Sequence, residues 1–285
     1  MKELEGKNAI VTGARTGICK AVVEAYAEEG CNVWAVVHRE DDAFKADMEA
    51  LAQRCGVWIK IVHINLEDEE DIKRGMKEIT SDKLPIDILV NGAGVTSPSR
   101  LILMTSLKDM HRVMQVNFFA AVQMAQLTFK VMMRQKRGSI INIASIAGID
   151  GDLSQLEYGS SKAALICATK KMAYEWGDFN IRVNAIAPGL IDTKMLGDME
   201  PAVVDELTKK TSLHRTGNPS EVAQLCVFLG SDRSTYISSE TIRIDGGWVQ
   251  ISFPPLKELK LCRKVNNGLT ISDVRLLRHR MMSEG

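Results

Sequence analysis

The alternation of short apolar segments with longer amphipathic ones constrains this chain more than any other feature of its sequence. The apolar segments are almost continuously hydrophobic and end in glycine, proline or polar residues, as in I-L-V-N-G at 88–92. Strands buried on both faces have this pattern, and the segments between them have helical periodicity. Strands are predicted at 8–11, 33–37, 57–63, 86–90, 139–143, 181–187 and 241–244. Helices are predicted at 17–29, 41–54, 67–81, 106–134, 201–211 and 220–230, and one further helix contains Tyr158 and ends near residue 176.

Strands that are covered by helices on both faces form a parallel sheet. Because crossovers between parallel strands are right-handed, the predicted fold class is α/β, a doubly wound parallel sheet of the Rossmann type. No linker rich in proline or glycine interrupts the pattern before residue 250, so we expect a single domain over residues 1–251. Pro254 and Pro255 then break the chain, and Lys and Arg outnumber Asp and Glu beyond them. We predict a basic, poorly ordered C-terminal extension at 252–285, with an electrostatic contact to a partner subunit or an anionic ligand as the alternative.

The composition excludes several classes of protein. Charged residues make up 25% of the 285 and hydrophobic residues 45%, which is typical of a soluble globular chain. The net charge is zero, so we expect no nucleic-acid partner, and the absence of a long apolar run predicts no membrane insertion. The first residues, M-K-E-L-E-G-K, contain no apolar core, so we expect no signal peptide, and the six cysteines form no C-x-x-C pair. These features predict a cytoplasmic protein without a metal site.

A glycine-rich turn, T-G-A-R-T-G-I-C, joins the first predicted strand to the first predicted helix. Gly13 and Gly17 would let main-chain amides approach a pyrophosphate, which the partial positive charge of the helix N-terminus stabilises. The position of this turn after the first strand indicates dinucleotide binding more strongly than the glycine spacing alone, for which a structural turn is the alternative.

The end of the second predicted strand suggests which dinucleotide binds. A carboxylate there would bind the adenosine ribose of NAD, whereas a cation would bind the additional phosphate of NADP. The strand ends in Val37, His38 and Arg39, with no acid, and Arg15 is a second cation within reach. The acids at 40–42 are interpreted as helix-start residues. We therefore predict NADP(H) as the favoured cofactor, with NAD(H) possible.

Tyr158 and Lys162 are four residues apart and share one helix face. A neighbouring ammonium group favours the phenolate, so Lys162 is predicted to lower the pKa of Tyr158. Ser145 lies upstream and could reach the same point if the intervening loop folds back. Such pairs also occur on many solvated helices, and the pair alone does not establish a site.

The ordered motifs T-G-x-x-x-G, N-x-A-G, an Asn in a long helix, Ser, Y-x-x-x-K and P-G resemble those of the short-chain dehydrogenases/reductases over roughly residues 6–250. Among subfamilies the chain is most similar to the 3-oxoacyl-acyl-carrier-protein reductase type. The resemblance implies a catalytic tetrad of Asn117, Ser145, Tyr158 and Lys162. Tyr158 would exchange the proton, Ser145 would bind the substrate oxygen, Lys162 would also hold the nicotinamide ribose, and Asn117 would bind a water that links Lys162 to solvent.

Cofactor contacts follow from the turn, the strand ends and the resemblance together. The predicted contacts are Gly13, Arg15, Gly17, Ile18, His38, Arg39, Asn65, Leu66, Asn91, Ala93, Tyr158, Lys162, Pro188, Gly189, Ile191 and Thr193.

The chain departs from the family pattern at four positions. Many family members have an Asp after the third strand, where this chain has Asn65. Cys19 replaces the third glycine of the turn, for which we expect a slightly displaced helix and weaker cofactor binding, and Gly92 replaces the second Asn of N-N-A-G. Phe179 stands where carrier-binding members often have a basic residue, which argues against an acyl-carrier partner. The resemblance, and two helices that are apolar on more than one face, predict a homotetramer.

Three functions remain open from the sequence. The first is an NADP(H)-dependent oxidoreductase that interconverts a carbonyl and a secondary alcohol, with a small-molecule or acyl substrate, including 3-oxoacyl groups. The second is an NAD(H)-dependent dehydrogenase of a small alcohol, sugar or steroid. The third is a dinucleotide-binding sensor or scaffold without catalysis.

Overall fold

Seven parallel strands form one sheet in the order β3-β2-β1-β4-β5-β6-β7. The structure is a computed structural model that describes residues 2–97, 101–151, 155–197 and 200–248, so the predicted extension lies outside it. The order confirms the predicted doubly wound α/β fold. The strands are β1 (Asn8–Thr12), β2 (Asn32–Val37), β3 (Ile59–His63), β4 (Ile88–Asn91), β5 (Gly138–Ile143), β6 (Ile181–Pro188) and β7 (Thr241–Ile244).

Helices cover both faces of the sheet. The helices are α1 (Gly17–Glu28), α2 (Asp42–Cys55), α3 (Glu69–Ser81), α4 (Leu107–Met114), α5 (Ala120–Gln135), α6 (Ala147–Asp150), α7 (Leu156–Trp176), α8 (Lys194–Gly197), α9 (Pro201–Thr208) and α10 (Pro219–Gly230). Helices α1, α2 and α10 pack against one face around Val22, Met48 and Val227. Helices α3, α5 and α7 pack against the other face around Met76 and Met124. Every central strand is therefore buried on both sides, which explains its continuous hydrophobicity.

The order of the strands reverses between β1 and β4. Strand β1 pairs with β2 on one side and with β4 on the other, so the chain winds outward in opposite directions from this point. Ligands of open α/β sheets bind in the crevice at the carboxyl ends of the strands near such a reversal. The fold thus places the predicted motifs that follow strand ends at one edge of the sheet.

Three predicted elements differ in detail from the structure. The predicted helix at 106–134 is continuous but contains a π-helical turn at Gln115–Phe119. The predicted glycine-rich loop contains the short helix α6. The predicted helix at 201–211 ends at Thr208, because Thr211 instead forms an antiparallel bridge with Trp248. Within the described residues, no helix is long and apolar enough to cross a membrane.

Candidate active site

A large cavity of about 1130 Å³ opens at the carboxyl ends of the strands. It is lined by residues that follow β1 to β6, by α6 and α7, and by residues of the segment from β6 to α9. The structure brings together here all but two of the residues predicted for the site. These are Gly13, Arg15, Gly17, Ile18, His38, Arg39, Asn65, Leu66, Ala93, Ser145, Tyr158, Lys162, Pro188, Gly189, Ile191 and Thr193.

The glycine-rich turn after β1 has a backbone that only glycine adopts easily. Gly13 has a φ of 73° and Gly17 a φ of 60°, both in the left-handed region. A Cβ at Gly13 would also lie 2.8 Å from Ala93 Cα, so the two main chains touch. Thr16 precedes α1 without capping it through its side chain, so the first amides of the helix are left for a ligand. This cradle fits the pyrophosphate of a dinucleotide.

Basic side chains line the cavity beyond β2. His38 and Arg39 are both exposed there. Asp41 caps α2 by accepting a hydrogen bond from the Phe44 amide at 3.0 Å, as expected of a helix-start acid. Arg15 forms an ion pair with Asp41 at 3.2 Å, so its charge is partly balanced. Arg39 therefore offers the less compensated charge to a ribose phosphate.

The residues after β3 and β4 have different environments. Asn65 lines the cavity, and its side-chain oxygen accepts a hydrogen bond from the Glu67 amide at 3.1 Å. Asn91 does not line the cavity, contrary to the predicted direct contact. Its side chain is buried and donates to Ala121 O and Asn142 Oδ1, both at 3.0 Å. Asn91 is the last residue of β4, and its side chain points away from the cavity, toward α5 and the neighbouring strand β5.

Ser145 and Tyr158 meet at the cavity wall. Ser145 lies just beyond the end of β5, and Tyr158 lies in the first turn of α7. Burial raises the pKa of Tyr158, and a hydrogen bond with the Ser145 side chain opposes this rise. The predicted lowering of the Tyr158 pKa by Lys162 is therefore wrong for this structure. The phenol is protonated at neutral pH, which is the form that a proton donor needs.

Lys162 is buried beside Tyr158. Its Nζ donates a hydrogen bond of 2.7 Å to Ile143 O and lies 5.7 Å from the centroid of the Tyr158 ring. Burial lowers the pKa of Lys162 to about 8, so the ammonium form dominates at neutral pH. Helix α6 holds this part of α7 closely, because a Cβ at Gly148 would lie 2.7 Å from Ala163 N. The sequence offered no signal for the role of Gly148 beyond its place in a glycine-rich segment.

Asn117 lies in the π-helical turn and is completely buried, so it does not line the cavity. Its Oδ1 accepts from Val95 N at 2.8 Å, and its Nδ2 donates to Val95 O at 2.9 Å and to Ser161 Oγ at 3.0 Å. Ser161 Oγ in turn donates to Tyr158 O at 2.7 Å. Asn117 thus ties the loop after β4 to the helix that carries Tyr158. The sequence interpretation missed Ser161, although its position inside Y-x-x-x-K was a signal.

Asn117 and Lys162 also approach the same segment of main chain. A Cβ at Gly94 would lie 3.4 Å from Lys162 Nζ and 3.5 Å from Asn117 Oδ1. The predicted water between Asn117 and Lys162 stays a prediction.

Comparisons with known proteins agree with this geometry. A family model described as enoyl-(acyl carrier protein) reductase matches residues 13–249. The 3-oxoacyl-acyl-carrier-protein reductase FabG of Aquifex aeolicus is 37% identical over 245 residues, which cover 86% of this chain and 98% of that protein. The chain belongs to the short-chain dehydrogenase/reductase family. It is therefore an NAD(P)-dependent oxidoreductase acting on CH–OH groups.

Two further relatives share most of the chain. The 3-oxoacyl-acyl-carrier-protein reductase FabG of Thermotoga maritima is 37% identical over 248 residues, covering 86% of this chain and 99% of its own. A solved structure from Agrobacterium tumefaciens, provisionally named a gluconate dehydrogenase, has a TM-score of 0.83 at 25% identity, and the match covers 88% of this chain and 98% of that chain. These likenesses extend over nearly the whole length of each relative.

Two departures from the family pattern contact each other beneath the cavity. Cys19 is 3% exposed, and a Cβ at Gly92 would overlap its Sγ. Gly92 thus leaves the space that the Cys19 side chain fills. Burial raises the pKa of the Cys19 thiol to about 12, so this thiol is a packing group and not a nucleophile.

Phe179, another departure from the family pattern, belongs to an aromatic cluster. Its ring lies 5.5 Å from that of Phe129 in an edge-on arrangement, and Phe129 stacks on Trp176 at 4.4 Å. The residue therefore packs α5 against the end of α7. Arg137, which follows α5, is paired with Asp87 at 3.1 Å.

Proposed function

We propose that this protein interconverts a carbonyl and a secondary alcohol with NADP(H), and that Tyr158 donates or accepts the proton. The observation that carries the proposal is the hydrogen bond between Ser145 and Tyr158 at the wall of the dinucleotide cavity, with the Lys162 ammonium beside the phenol ring. Two hydroxyls at one point can bind a single substrate oxygen. The complete set also argues against a non-catalytic sensor or scaffold.

Each residue of the site has a different role in carbonyl reduction. The bound dinucleotide supplies or takes up the hydride. Ser145 and Tyr158 hold the substrate oxygen, and their hydroxyls stabilise its developing negative charge. The protonated phenol of Tyr158 gives its proton to that oxygen, so that the product is a neutral alcohol. Lys162 stabilises the resulting phenolate, and Asn117 keeps the loop beside Lys162 in place.

The cofactor end of the cavity favours NADP(H). Arg39 follows β2, where the adenosine ribose of a dinucleotide meets a sheet of this kind. Asp41, one of the acids at 40–42 that could compete, is engaged by the Phe44 amide of α2 and by Arg15. The second candidate is an NAD(H)-dependent dehydrogenase of a small alcohol, sugar or steroid. It is kept because Arg15 is paired with Asp41 and so is not free to help Arg39 bind the additional phosphate of NADP.

The substrate class is less restricted than the reaction. The family description names reduction of an enoyl group, whereas the curated relatives are 3-oxoacyl reductases. Paired hydroxyls suit a carbonyl oxygen, so a 3-oxoacyl group fits this site better than an enoyl group. Phe179 belongs to the packed aromatic cluster and provides no charge for an acidic carrier protein.

Assembly and location are part of the proposal. Phe119 at the start of α5 and Tyr174 on α7 are 52% and 90% exposed, and burying both in subunit contacts would complete the packing of these helices. We propose a homotetramer, which light scattering on the purified protein tests. The five cysteines in the described part of the chain are all free, which supports a cytoplasmic protein.

The deciding experiment is a substrate screen in which the absorbance of NADPH measures turnover. Oxidation of NADPH by one or more ketones, at a kcat/KM above that with NADH, is the expected result. The Arg39→Ala variant should lose most of the NADPH advantage and keep its activity with NADH. A higher kcat/KM with NADH in the unaltered protein would contradict the cofactor proposal, and no turnover with either cofactor would contradict catalysis.

A further inference from the structure

Glu157, the residue before Tyr158, is a buried acid that the proposed mechanism does not use. Its side chain is 2% exposed and does not line the cavity. One carboxyl oxygen, Oε1, accepts a hydrogen bond from the buried Ser97 hydroxyl. Within the described part of the chain, the other oxygen, Oε2, has no hydrogen-bond partner. A buried carboxyl oxygen without a partner costs free energy, so the stability of the fold does not account for this residue.

Ser97 belongs to the loop that follows β4, and residues 92–96 of this loop line the cavity. Hydrogen bonds to a side chain of β1 fix the start of the loop. Asn117 holds its middle through two hydrogen bonds with the main chain of Val95. The contact of Ser97 with Glu157 then joins the loop to the first turn of α7.

The first turn of α7, which carries Glu157 and Tyr158, is not secured by a helix cap. Gln155, the residue before the helix, makes no side-chain capping hydrogen bond. Its backbone is in the left-handed region, with a φ of 53° and a ψ of 43°, which costs free energy in a residue other than glycine. Such a conformation persists only where contacts with other elements fix the chain. The hydrogen bond from Ser97 is one such contact, and it is made next to Tyr158.

Two separate hydrogen-bonded links therefore join the loop after β4 to the turn that carries Tyr158. Asn117 donates to Ser161, which in turn donates to the Tyr158 main-chain oxygen. Ser97 makes the second link, to the residue before Tyr158. A turn that is held at one point only can pivot. Loss of the Ser97 link would therefore change the position of the phenol relative to Ser145 and to a bound dinucleotide.

We propose that Glu157 is a positioning residue, which with Ser97 fixes the first turn of α7 so that the phenol of Tyr158 and the Ser145 hydroxyl meet at the substrate oxygen. This inference rests on the proposed function, because that function gives Tyr158 the proton transfer. Glu157 acts through Tyr158 and does not touch the substrate, since it lies outside the cavity lining. Its hydrogen bond with Ser97 contributes to kcat and not to the stability of the fold.

Variants of the two residues test the contribution to turnover, with NADPH and ethyl 3-oxobutanoate, a small 3-oxo ester, as substrates. Glu157→Met removes the acceptor and should lower kcat about tenfold, with KM and the Kd for NADPH changed by less than about twofold. Ser97→Ala should lower kcat equally, and the double variant should lower it no further, because both changes remove the same hydrogen bond. Glu157→Gln keeps an acceptor for the Ser97 hydroxyl and should retain kcat.

Urea unfolding of the same variants tests for a merely structural role. Replacing both partners of a buried hydrogen bond by apolar groups is nearly neutral or stabilising. The double variant of Ser97→Ala and Glu157→Met should therefore unfold at the same urea concentration as the unaltered protein, or at a higher one, although its kcat is reduced. A joint fall of the urea midpoint and kcat in the double variant would overturn the inference.

The position of the phenol can also be followed without a substrate. The chain contains four tyrosines, so protein labelled with ¹³C at the ring carbon that bears the hydroxyl gives four resonances in a nuclear magnetic resonance spectrum. Tyr158→Phe identifies the resonance of Tyr158. This resonance should shift in Glu157→Met and in Ser97→Ala and keep its position in Glu157→Gln, while the other three resonances stay in place.

Glu175 provides a matched control, because it lies on the same helix but is exposed. Glu175→Met should leave kcat, the urea midpoint and the Tyr158 resonance unchanged. An unchanged Tyr158 resonance or an unchanged kcat in Glu157→Met would overturn the inference and leave the proposed function intact. If the unaltered protein does not reduce the ester, the proposed 3-oxoacyl reduction fails, and the Tyr158 resonance still decides whether Glu157 and Ser97 position the phenol.

Discussion

Replacing Gly92 by Ala tests whether Cys19 and Gly92 form one packing unit. The new Cβ would overlap Cys19 Sγ and would lie 3.3 Å from Ile143 Cγ1 and 3.4 Å from Thr12 O. Cys19 is buried on α1, and the Thr12 oxygen belongs to main chain in β1, so the neighbours have little room to move. Overpacking of this kind costs about 1–3 kcal/mol. We expect Gly92→Ala to lower the free energy of unfolding by roughly 2 kcal/mol.

The second variant removes the atom that causes the overlap. Cys19→Ala deletes the buried Sγ and should cost roughly 1 kcal/mol by itself. In the double variant, a methyl group at 92 occupies part of the volume that the thiol leaves. The double variant should therefore be more stable than the sum of the single losses predicts, with a coupling free energy of about 1–2 kcal/mol.

Urea unfolding followed by circular dichroism measures the four proteins of this cycle, and quenching of tryptophan fluorescence measures their affinity for NADPH. Gly92→Ala should also weaken NADPH binding, since Cys19 and Gly92 both line the cavity. The double variant should recover most of that affinity. Gly177→Ala, at a position with a φ of −59° where no atom lies within 4 Å of the added Cβ, controls for the general cost of replacing a glycine. Additivity of the two single changes within about 0.5 kcal/mol would refute the coupling.

Three other variants test the site. Tyr158→Phe should lose nearly all turnover and keep its Kd for NADPH, because only the phenol hydroxyl is removed; near-normal turnover would contradict its role. Lys162→Met should abolish turnover and yet raise the free energy of unfolding by roughly 2 kcal/mol at pH 7, since it removes a buried cation and one hydrogen bond. The pKa of Lys162 is about 8 in the folded protein and 10.5 ordinarily, so the unaltered protein gains stability as the pH rises through this window. Urea titrations should therefore show that the advantage of Lys162→Met in free energy of unfolding shrinks by pH 10. A constant advantage would contradict the burial effect. Gly148→Ala should lower kcat at least tenfold with a smaller loss of NADPH affinity, because the new Cβ would lie 2.7 Å from main chain beside Lys162, and unchanged kinetics would show that α6 can move aside.

The sequence determined the architecture of the sheet and the position of the cofactor cradle. Burial of a strand on both faces requires a continuous apolar run, and a positive φ at Gly13 requires glycine, so both are visible in local sequence. Most of the motifs follow the ends of strands, and parallel strands place those ends at one edge. For this reason nearly all predicted site residues line one cavity.

The tertiary structure decided the properties that depend on neighbours distant in sequence. Burial raises the pKa of Tyr158 although Lys162 lies one helical turn away, because desolvation exceeds any effect of that charge. Asn91 faces the interior and not the cavity, since its amide pairs with residues 30 and 51 positions away. Local patterns report which residues are buried, but they do not report which atoms then meet.

The contact of Cys19 with Gly92 shows the same division. Each position departs from the family pattern, and the sequence alone presents them as two unrelated changes. Their packing depends on the distance between the first turn of α1 and the end of β4, which the pairing of β1 with β4 sets. The approach of Lys210 to the Trp248 ring also depends on such a pairing, because a bridge joins the segments that follow α9 and β7. The sequence by itself determined the fold and its cofactor turn, whereas packing between distant segments decided the charge and shape of the site.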